Sequence, residues 1–136
     1  MGLINISVSQ IFYTTTLILF MEQIPLVETI PLSKVLHEIG DKGYEQCKYS
    51  FKSDNQYCAL GSILEYYGKD FEGDSWVSSE MKAWKHIHSL YPHLTAKFIT
   101  LPSLQTVSVI EGITMLNDDH NMSFHEIADY LDRQGF

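Results

Sequence analysis

The strongest folding signal in the sequence lies near the C-terminus, where several helix signals coincide. Ser123 and Glu126 have the spacing of a capping box, in which each side chain bonds the other residue's backbone N–H. Met122 and Ile127 occupy the two positions of a hydrophobic staple, and Gly135 provides a stop. Apolar residues at helical spacing form one stripe between these ends: Phe124, Ile127, Ala128 and Leu131. The segment therefore predicts an amphipathic helix that buries one face.

Two further helices are predicted upstream from proline and glycine boundaries. The first begins at Pro31, a residue favoured in the first turn, and ends at Gly40. Residues 44–53 are polar and aromatic without a clear period, and we predict a loop there. Asp54 or Asn55 is predicted to cap the second helix, which ends before the glycine at position 68.

A glycine lies inside the second predicted helix, at Gly61. Glycine in a helix interior costs about 1 kcal/mol relative to alanine. Gly61 therefore indicates close packing by another element, or approach by backbone or a ligand.

The third helix is predicted to start at Ser78 or Ser79 and to end before Pro92. Its apolar and aromatic stripe comprises Met81, Trp84, Ile87, His88 and Tyr91. Residues 96–101 form a candidate short strand. Ser103 is the predicted cap of the fourth helix, whose many β-branched residues leave a strand as the alternative. The sequence thus predicts a mainly α fold, a single compact domain of about five helices with room for one short β element.

Residues 1–20 differ from the rest of the chain because they contain no charged residue. They lack the positive region and the cleavage site of a secretory signal. The apolar run 17–21 is much shorter than the roughly 20 residues that span a bilayer. We interpret Met21 as the natural start, so that residues 1–20 are an apolar leader outside the natural protein and residues 21–136 are the domain. A weak membrane anchor is the alternative.

The charge balance argues against nucleic acid as a direct partner. The chain has 17 acidic and 9 basic residues, a net charge of −8, and no basic run that would neutralise phosphates. The polar side of the last helix carries Glu126, Asp129 and Asp132 instead. This side suits a protein partner, still unknown, of basic character, and a solvated, solubilising surface is the alternative.

Cys58 is the residue that most suggests enzyme chemistry. It is predicted in the first turn of the second helix, where the helix dipole lowers a thiol pKa. Papain-like hydrolases pair such a cysteine with an oxyanion-stabilising glutamine and a distant histidine. Gln56 could supply the glutamine. His120 or His125, oriented by Asp118, could supply the histidine. The favoured interpretation is a buried, inert thiol; we interpret both cysteines as reduced thiols of a cytoplasmic protein.

The densest polar cluster comprises residues 117–121 together with His125. A calcium loop beginning at Asn117 would need glycine where Met122 stands and an acidic ligand where Ala128 stands. A zinc site lacks thiolates here, and the histidines are not spaced i, i+4. We therefore predict no metal site and no cofactor, and favour a structural turn before the last helix.

A group of aromatic residues lies between positions 44 and 67, with lysines interleaved. Tyrosine is enriched at protein interfaces, so this stretch is a candidate recognition surface. Packing in the core and at its rim is the favoured interpretation.

Two blocks resemble a family of small uncharacterised bacterial and phage domains. The first is residues 57–64 (YCALGSIL), and the second is residues 116–118 (LND) leading into 122–127 (MSFHEI). Family members carry a Cys-Ala-x-Gly-Ala block early and a Trp-Asn-Asp block late, followed by a Thr/Ser-Phe-x-Glu-Val helix. The resemblance covers roughly residues 31–133. It departs at Leu116, where the family tends to have tryptophan, and at Ser62, where it tends to have alanine.

The resemblance implies a compact, mainly helical domain and no catalytic residues to carry over. It indicates that Asn117 and Asp118 have a specific role, unlike ordinary loop residues. With the acidic side of the last helix, these two complete the candidate binding residues. We predict a small cytoplasmic accessory or protein-interaction module of bacterial or phage origin, and the alternative is a cysteine-dependent hydrolase or transferase that uses Cys58.

Overall fold

Apolar residues at helical spacing form five α-helices in the part of the chain that the computed structural model describes, residues 30–136. The predicted leader, residues 1–20, lies outside the described residues. The helices are α1 (Leu32–Asp41), α2 (Ala59–Tyr66), α3 (Trp76–Leu90), α4 (Val109–Asp118) and α5 (Phe124–Arg133). The predicted mainly α fold is confirmed. Within residues 30–136, every helix is too short or too polar to traverse a lipid bilayer.

One hydrophobic core collects the apolar stripes of all five helices. Its largest fully buried side chains are Leu36, Ile39, Leu60, Ile63, Leu64, Ile87, Ile99, Leu101, Ile113, Leu116, Ile127 and Leu131. Helix α1 packs against α5 and α2, and α2 also packs against α3 and α4. Helix α2 therefore lies at the centre of the core, and six of its eight residues are buried.

Helices α1 and α5 run antiparallel. The backbone N–H of Ser33 donates to the carbonyl of Phe136 at one end of the pair. At the other end, Asp41 lies 3.3 Å from His125. The predicted start of α5 is confirmed, because the Ser123 and Glu126 side chains form both bonds of the capping box.

Three two-residue strands form a small sheet between α1 and α2. They are β1 (Glu45–Gln46), β2 (Lys52–Ser53) and β3 (Gln56–Tyr57). Strand β3 is central, parallel to β1 and antiparallel to β2. The loop predicted over 44–53 thus contains two strands, since a two-residue strand is too short to show alternation in sequence.

A second pair of strands precedes α4. Strand β4 (Phe98–Thr100) falls within the predicted strand segment and pairs antiparallel with β5 (Thr106–Ser108). A short 3₁₀ turn, Leu94–Ala96, joins β4 to the end of α3. The fourth helix therefore begins at Val109, later than predicted, and the strand alternative holds for the residues before it.

Three predicted helix caps were wrong. Helix α2 is capped by Cys58, because Asp54 has a positive φ of 53° in the turn between β2 and β3. Helix α3 is capped three residues earlier than the first predicted cap, by Ser75, whose hydroxyl accepts from the backbone N–H of Ser78. Helix α4 is capped by Ser108 rather than by the earlier serine at 103.

Candidate functional site

Asn117 lies on the last turn of α4 and is fully buried. Its Nδ2 donates to the carbonyl of Cys47 at 2.9 Å and to Asp118 Oδ1 at 2.8 Å. Its Oδ1 accepts from Gln46 Nε2 at 2.7 Å and from the backbone N–H of Ala59 at 3.1 Å. One side chain thus links α4 to strand β1 and to the first residue of α2.

These bonds use the two donors of the Asn117 amide and both acceptor positions of its oxygen. No polar atom of the amide is left for a ligand. The predicted turn also differs, because α4 continues through Asp118 and the chain turns only at residues 119–121. Asn117 is thus a long-range structural link rather than a local turn residue.

Asp118 supports the same link from the surface. Its Oδ1 accepts from Asn117 and from the backbone N–H of Tyr49, the latter at 3.1 Å. Asp118 therefore orients the Asn117 amide and the segment that carries Tyr49. These contacts differ from the predicted one, in which Asp118 orients a histidine.

Cys58 caps α2, and its sulfur accepts from the backbone N–H of Gly61 at 3.4 Å. The side chain is buried. Burial raises the pKa of the Cys58 thiol to about 12, and the Gly61 N–H offsets only part of this rise. The helix start therefore does not lower this pKa, and the favoured interpretation, a buried thiol, agrees with the structure.

The structure brings Asp118 to the cavity beside Cys58, but neither Gln56 nor the predicted histidines. A cavity of about 200 Å³ lies beside Cys58, and no histidine from residues 30–136 lines it. His125 lies on α5 against α1, where its ring contacts His37. Gln56 is exposed on β3, and His120 is half-buried in the turn after α4. This arrangement argues against the cysteine-hydrolase alternative.

We expect Cys58 to resist alkylation in the folded protein. In a Cys47→Ser background, iodoacetamide should react slowly below pH 9, because the buried thiol keeps its proton. Reaction should become fast when urea unfolds the chain. Mass spectrometry of the alkylated fraction against pH measures this. A fast native reaction with an apparent pKa below about 8.5 would restore the enzyme interpretation.

The predicted acidic contact residues on α5 have different surroundings. Glu126 is used by the capping box, where its Oε1 accepts from the Ser123 N–H at 3.1 Å. Asp129 lies 2.9 Å from His37 Nε2. Asp132 is exposed. The acidic side is therefore partly engaged within the chain.

A second surface surrounds Phe51, and the candidate recognition stretch between positions 44 and 67 forms only part of it. Two adjoining cavities of about 310 and 200 Å³ share Phe51 and Glu80 in their walls. We call this surface the aromatic groove. Its aromatic residues are Tyr49, Phe51, Phe71, Trp76 and Trp84. The Phe51 ring lies 5.2 Å from the Trp84 ring, edge to face, and 6.2 Å from the Phe71 ring.

The aromatic groove is exposed at its ends. Tyr49 is 72% exposed and Trp76 is 67% exposed. Met81, also on α3 and 69% exposed, lines a separate cavity. The predicted core stripe of the third helix included Met81, whereas the buried residues of α3 are Ala83, Ile87 and Leu90. Of the predicted stripe, Ile87 and Tyr91 are buried, whereas Met81 and His88 are exposed.

Carboxylates dominate the charge around the aromatic groove. Four acidic residues and one lysine line its two cavities: Asp54, Glu72, Glu80, Asp118 and Lys52. Lys52 Nζ donates to Glu72 at 3.1 Å, and this bond raises the pKa of Lys52. The lysine charge is therefore matched within the chain, and three carboxylates remain around the groove.

Comparison with known proteins adds no relative. No family model, no curated protein and no solved structure matches the chain. The resemblance to small bacterial and phage domains therefore stays a prediction. Within residues 30–136, three or more histidine, cysteine, aspartate or glutamate side chains are nowhere grouped to hold a metal ion.

Proposed function

We propose that the chain is a small, non-enzymatic interaction module, an accessory protein of bacterial or phage origin, that binds a segment of a partner protein in the aromatic groove. The observation that carries this proposal is the exposure of Tyr49 and Trp76 in the walls of a concave surface. Contiguous apolar surface on a soluble domain marks interaction sites. Tyrosine and tryptophan are also among the residues enriched where proteins meet.

The chemistry of the groove favours a basic, partly apolar segment as its occupant. The two cavities have room for apolar side chains against Phe51 and Phe71. Glu80 stands in the walls of both, so a lysine or arginine next to the apolar anchor meets a carboxylate. The net charge of −8 attracts the same kind of partner over a longer range.

The acidic side of α5, predicted from the sequence, is the competing contact surface. Two of its three carboxylates already have partners within the chain. Exposed charges of this kind contribute little binding energy without a buried apolar anchor beside them. The aromatic groove supplies such anchors, and we place it first for this reason.

A displayed random-peptide library selected on the full chain tests this proposal. We expect enriched peptides to place lysine or arginine beside an aromatic or aliphatic residue. Trp76→Ala should weaken a selected peptide at least tenfold, which corresponds to about 1.4 kcal/mol. Glu80→Lys should weaken it and reduce the salt dependence of binding.

The matched control is the double variant Asp129→Lys, Asp132→Lys, which reverses charge on α5 and leaves the groove intact. The groove proposal requires this variant to keep its affinity for the selected peptides. Loss of binding in the α5 variant with full binding in Trp76→Ala would assign the contact to α5. If neither the groove variants nor the α5 variant weakens the binding of any selected peptide, the proposal is overturned.

A further inference from the structure

Two histidines face each other across the antiparallel pair of helices α1 and α5. His37 Nδ1 lies 2.9 Å from His125 Nδ1. Their side chains are 39% and 46% exposed, so solvent reaches both rings. Each helix repeats the same pattern, a histidine followed four residues later by an aspartate, at His37 and Asp41 and at His125 and Asp129.

The aspartates determine the tautomers of the two rings. Asp129 Oδ1 lies 2.9 Å from His37 Nε2, and Asp41 Oδ1 lies 3.3 Å from His125 Nε2. An ionised carboxylate only accepts, so each Nε2 carries its proton. When both rings hold this tautomer, their Nδ1 lone pairs face each other across 2.9 Å. Two lone pairs at this distance repel unless a cation lies between them.

We propose that His37 and His125 bind a divalent transition-metal ion of the zinc class through their Nδ1 atoms. Imidazole suits zinc, copper and nickel. A histidine that binds a metal usually donates its other N–H to a carboxylate, and Asp129 and Asp41 stand at these positions. The pair supplies two protein ligands, so water completes the coordination shell, as exposure of both rings allows.

The distances suit such an ion. Zinc–nitrogen bonds are about 2.0–2.1 Å long, so two nitrogens 2.9 Å apart subtend about 90° at the metal. A tetrahedral angle needs the nitrogens about 3.3 Å apart, which exposed side chains reach by a few tenths of an ångström of adjustment.

Gly40 is what lets the His125 ring lie so close to α1. A Cβ added at Gly40 would lie 2.6 Å from His125 Nε2 and 2.9 Å from its Cε1. A side chain at position 40 would therefore push the ring away from His37. The absence of a side chain at this helix position is explained by the histidine pair.

Thermal unfolding of the full chain, stripped of metal with EDTA and titrated with zinc chloride alone, tests the proposal. At a zinc concentration of about a hundredfold over the dissociation constant, we expect Tm to rise by roughly 5–10 °C. His37→Gln and His125→Gln should abolish the rise. Asp129→Asn should weaken zinc binding about tenfold to a hundredfold, because it removes the carboxylate charge behind His37. The matched control is His88→Gln, an exposed histidine on α3, which should keep the full rise.

Imidazole ¹⁵N spectra distinguish a metal from a shared proton. Zinc should shift the Nδ1 signals of both rings and leave Nε2 protonated. If pH moves these signals while zinc leaves them unchanged, the cation between the rings is a proton and the proposal is overturned. An equal Tm rise in His37→Gln would overturn it as well.

Discussion

Replacing Asn117 with leucine should lower the free energy of unfolding by about 3–5 kcal/mol. Leucine has the branching of asparagine and is larger, so no cavity is left and the cost reflects lost hydrogen bonds together with some overpacking. The Cys47 carbonyl and the Ala59 N–H would then lie in the interior without their partner. Each buried polar group left unsatisfied costs about 1–3 kcal/mol. Urea denaturation followed by circular dichroism measures the change.

The matched control is Asn55→Leu, at an exposed position in the turn between β2 and β3. Surface changes of this kind usually stay within about 0.5 kcal/mol. A cost below about 1 kcal/mol for Asn117→Leu, on the scale of a single exposed hydrogen bond, would contradict the structural role assigned to this amide.

Gly61→Ala should destabilise the fold by about 3 kcal/mol or more. The added Cβ would overlap the carbonyl oxygen of Phe51 and lie 2.8 Å from its carbonyl carbon. This neighbour is main chain, which cannot rotate away as a side chain can. The Phe51 carbonyl also accepts from the Cys58 N–H at 3.2 Å, so any retreat of the segment weakens the start of α2. The gain in helix propensity, about 1 kcal/mol, is too small to compensate.

Gly112→Ala provides the comparison for this change in the same denaturation experiment. Gly112 also lies inside a buried helix, but an added Cβ there meets the flexible end of the Ile99 side chain. We expect a clearly smaller cost than at Gly61. Equal costs at both glycines would mean that the approach of the Phe51 carbonyl does not set the penalty.

Signals that act over a few residues were predictable from the sequence. The capping box of Ser123 and Glu126 and the stripe of α5 depend only on neighbours in the chain, and both are present. Gly61 was also informative, since an interior glycine indicated an approach by another segment, which is the Phe51 backbone. The cap of α2 was not predictable in this way, because cysteine is a weak cap by preference and packing decides its place.

The parts of the candidate sites that depend on distant residues could not be predicted. Asn117 bonds to Cys47, 70 positions away, and His37 meets His125, 88 positions away. Periodicity and spacing carry no information about such pairs. The resemblance to the small-domain family did single out Asn117, although its role as a link between three elements became visible only in the structure. The candidate recognition stretch 44–67 included Tyr49 and Phe51, but not Phe71, Trp76 and Trp84, which reach the groove from distant parts of the chain.

The segment that carries Tyr49 and Phe51 is held largely through its main chain. The Cys47 carbonyl binds Asn117, the Tyr49 N–H binds Asp118, and the Phe51 carbonyl binds the Cys58 N–H. The path of this loop is therefore set largely by main-chain bonds to residues outside it, so an exposed side chain such as Tyr49 can change while Phe51 stays packed against Trp84 and Phe71. Exposed loop residues can therefore change in related chains, or be randomised by design, and alter the binding preference while the fold is kept.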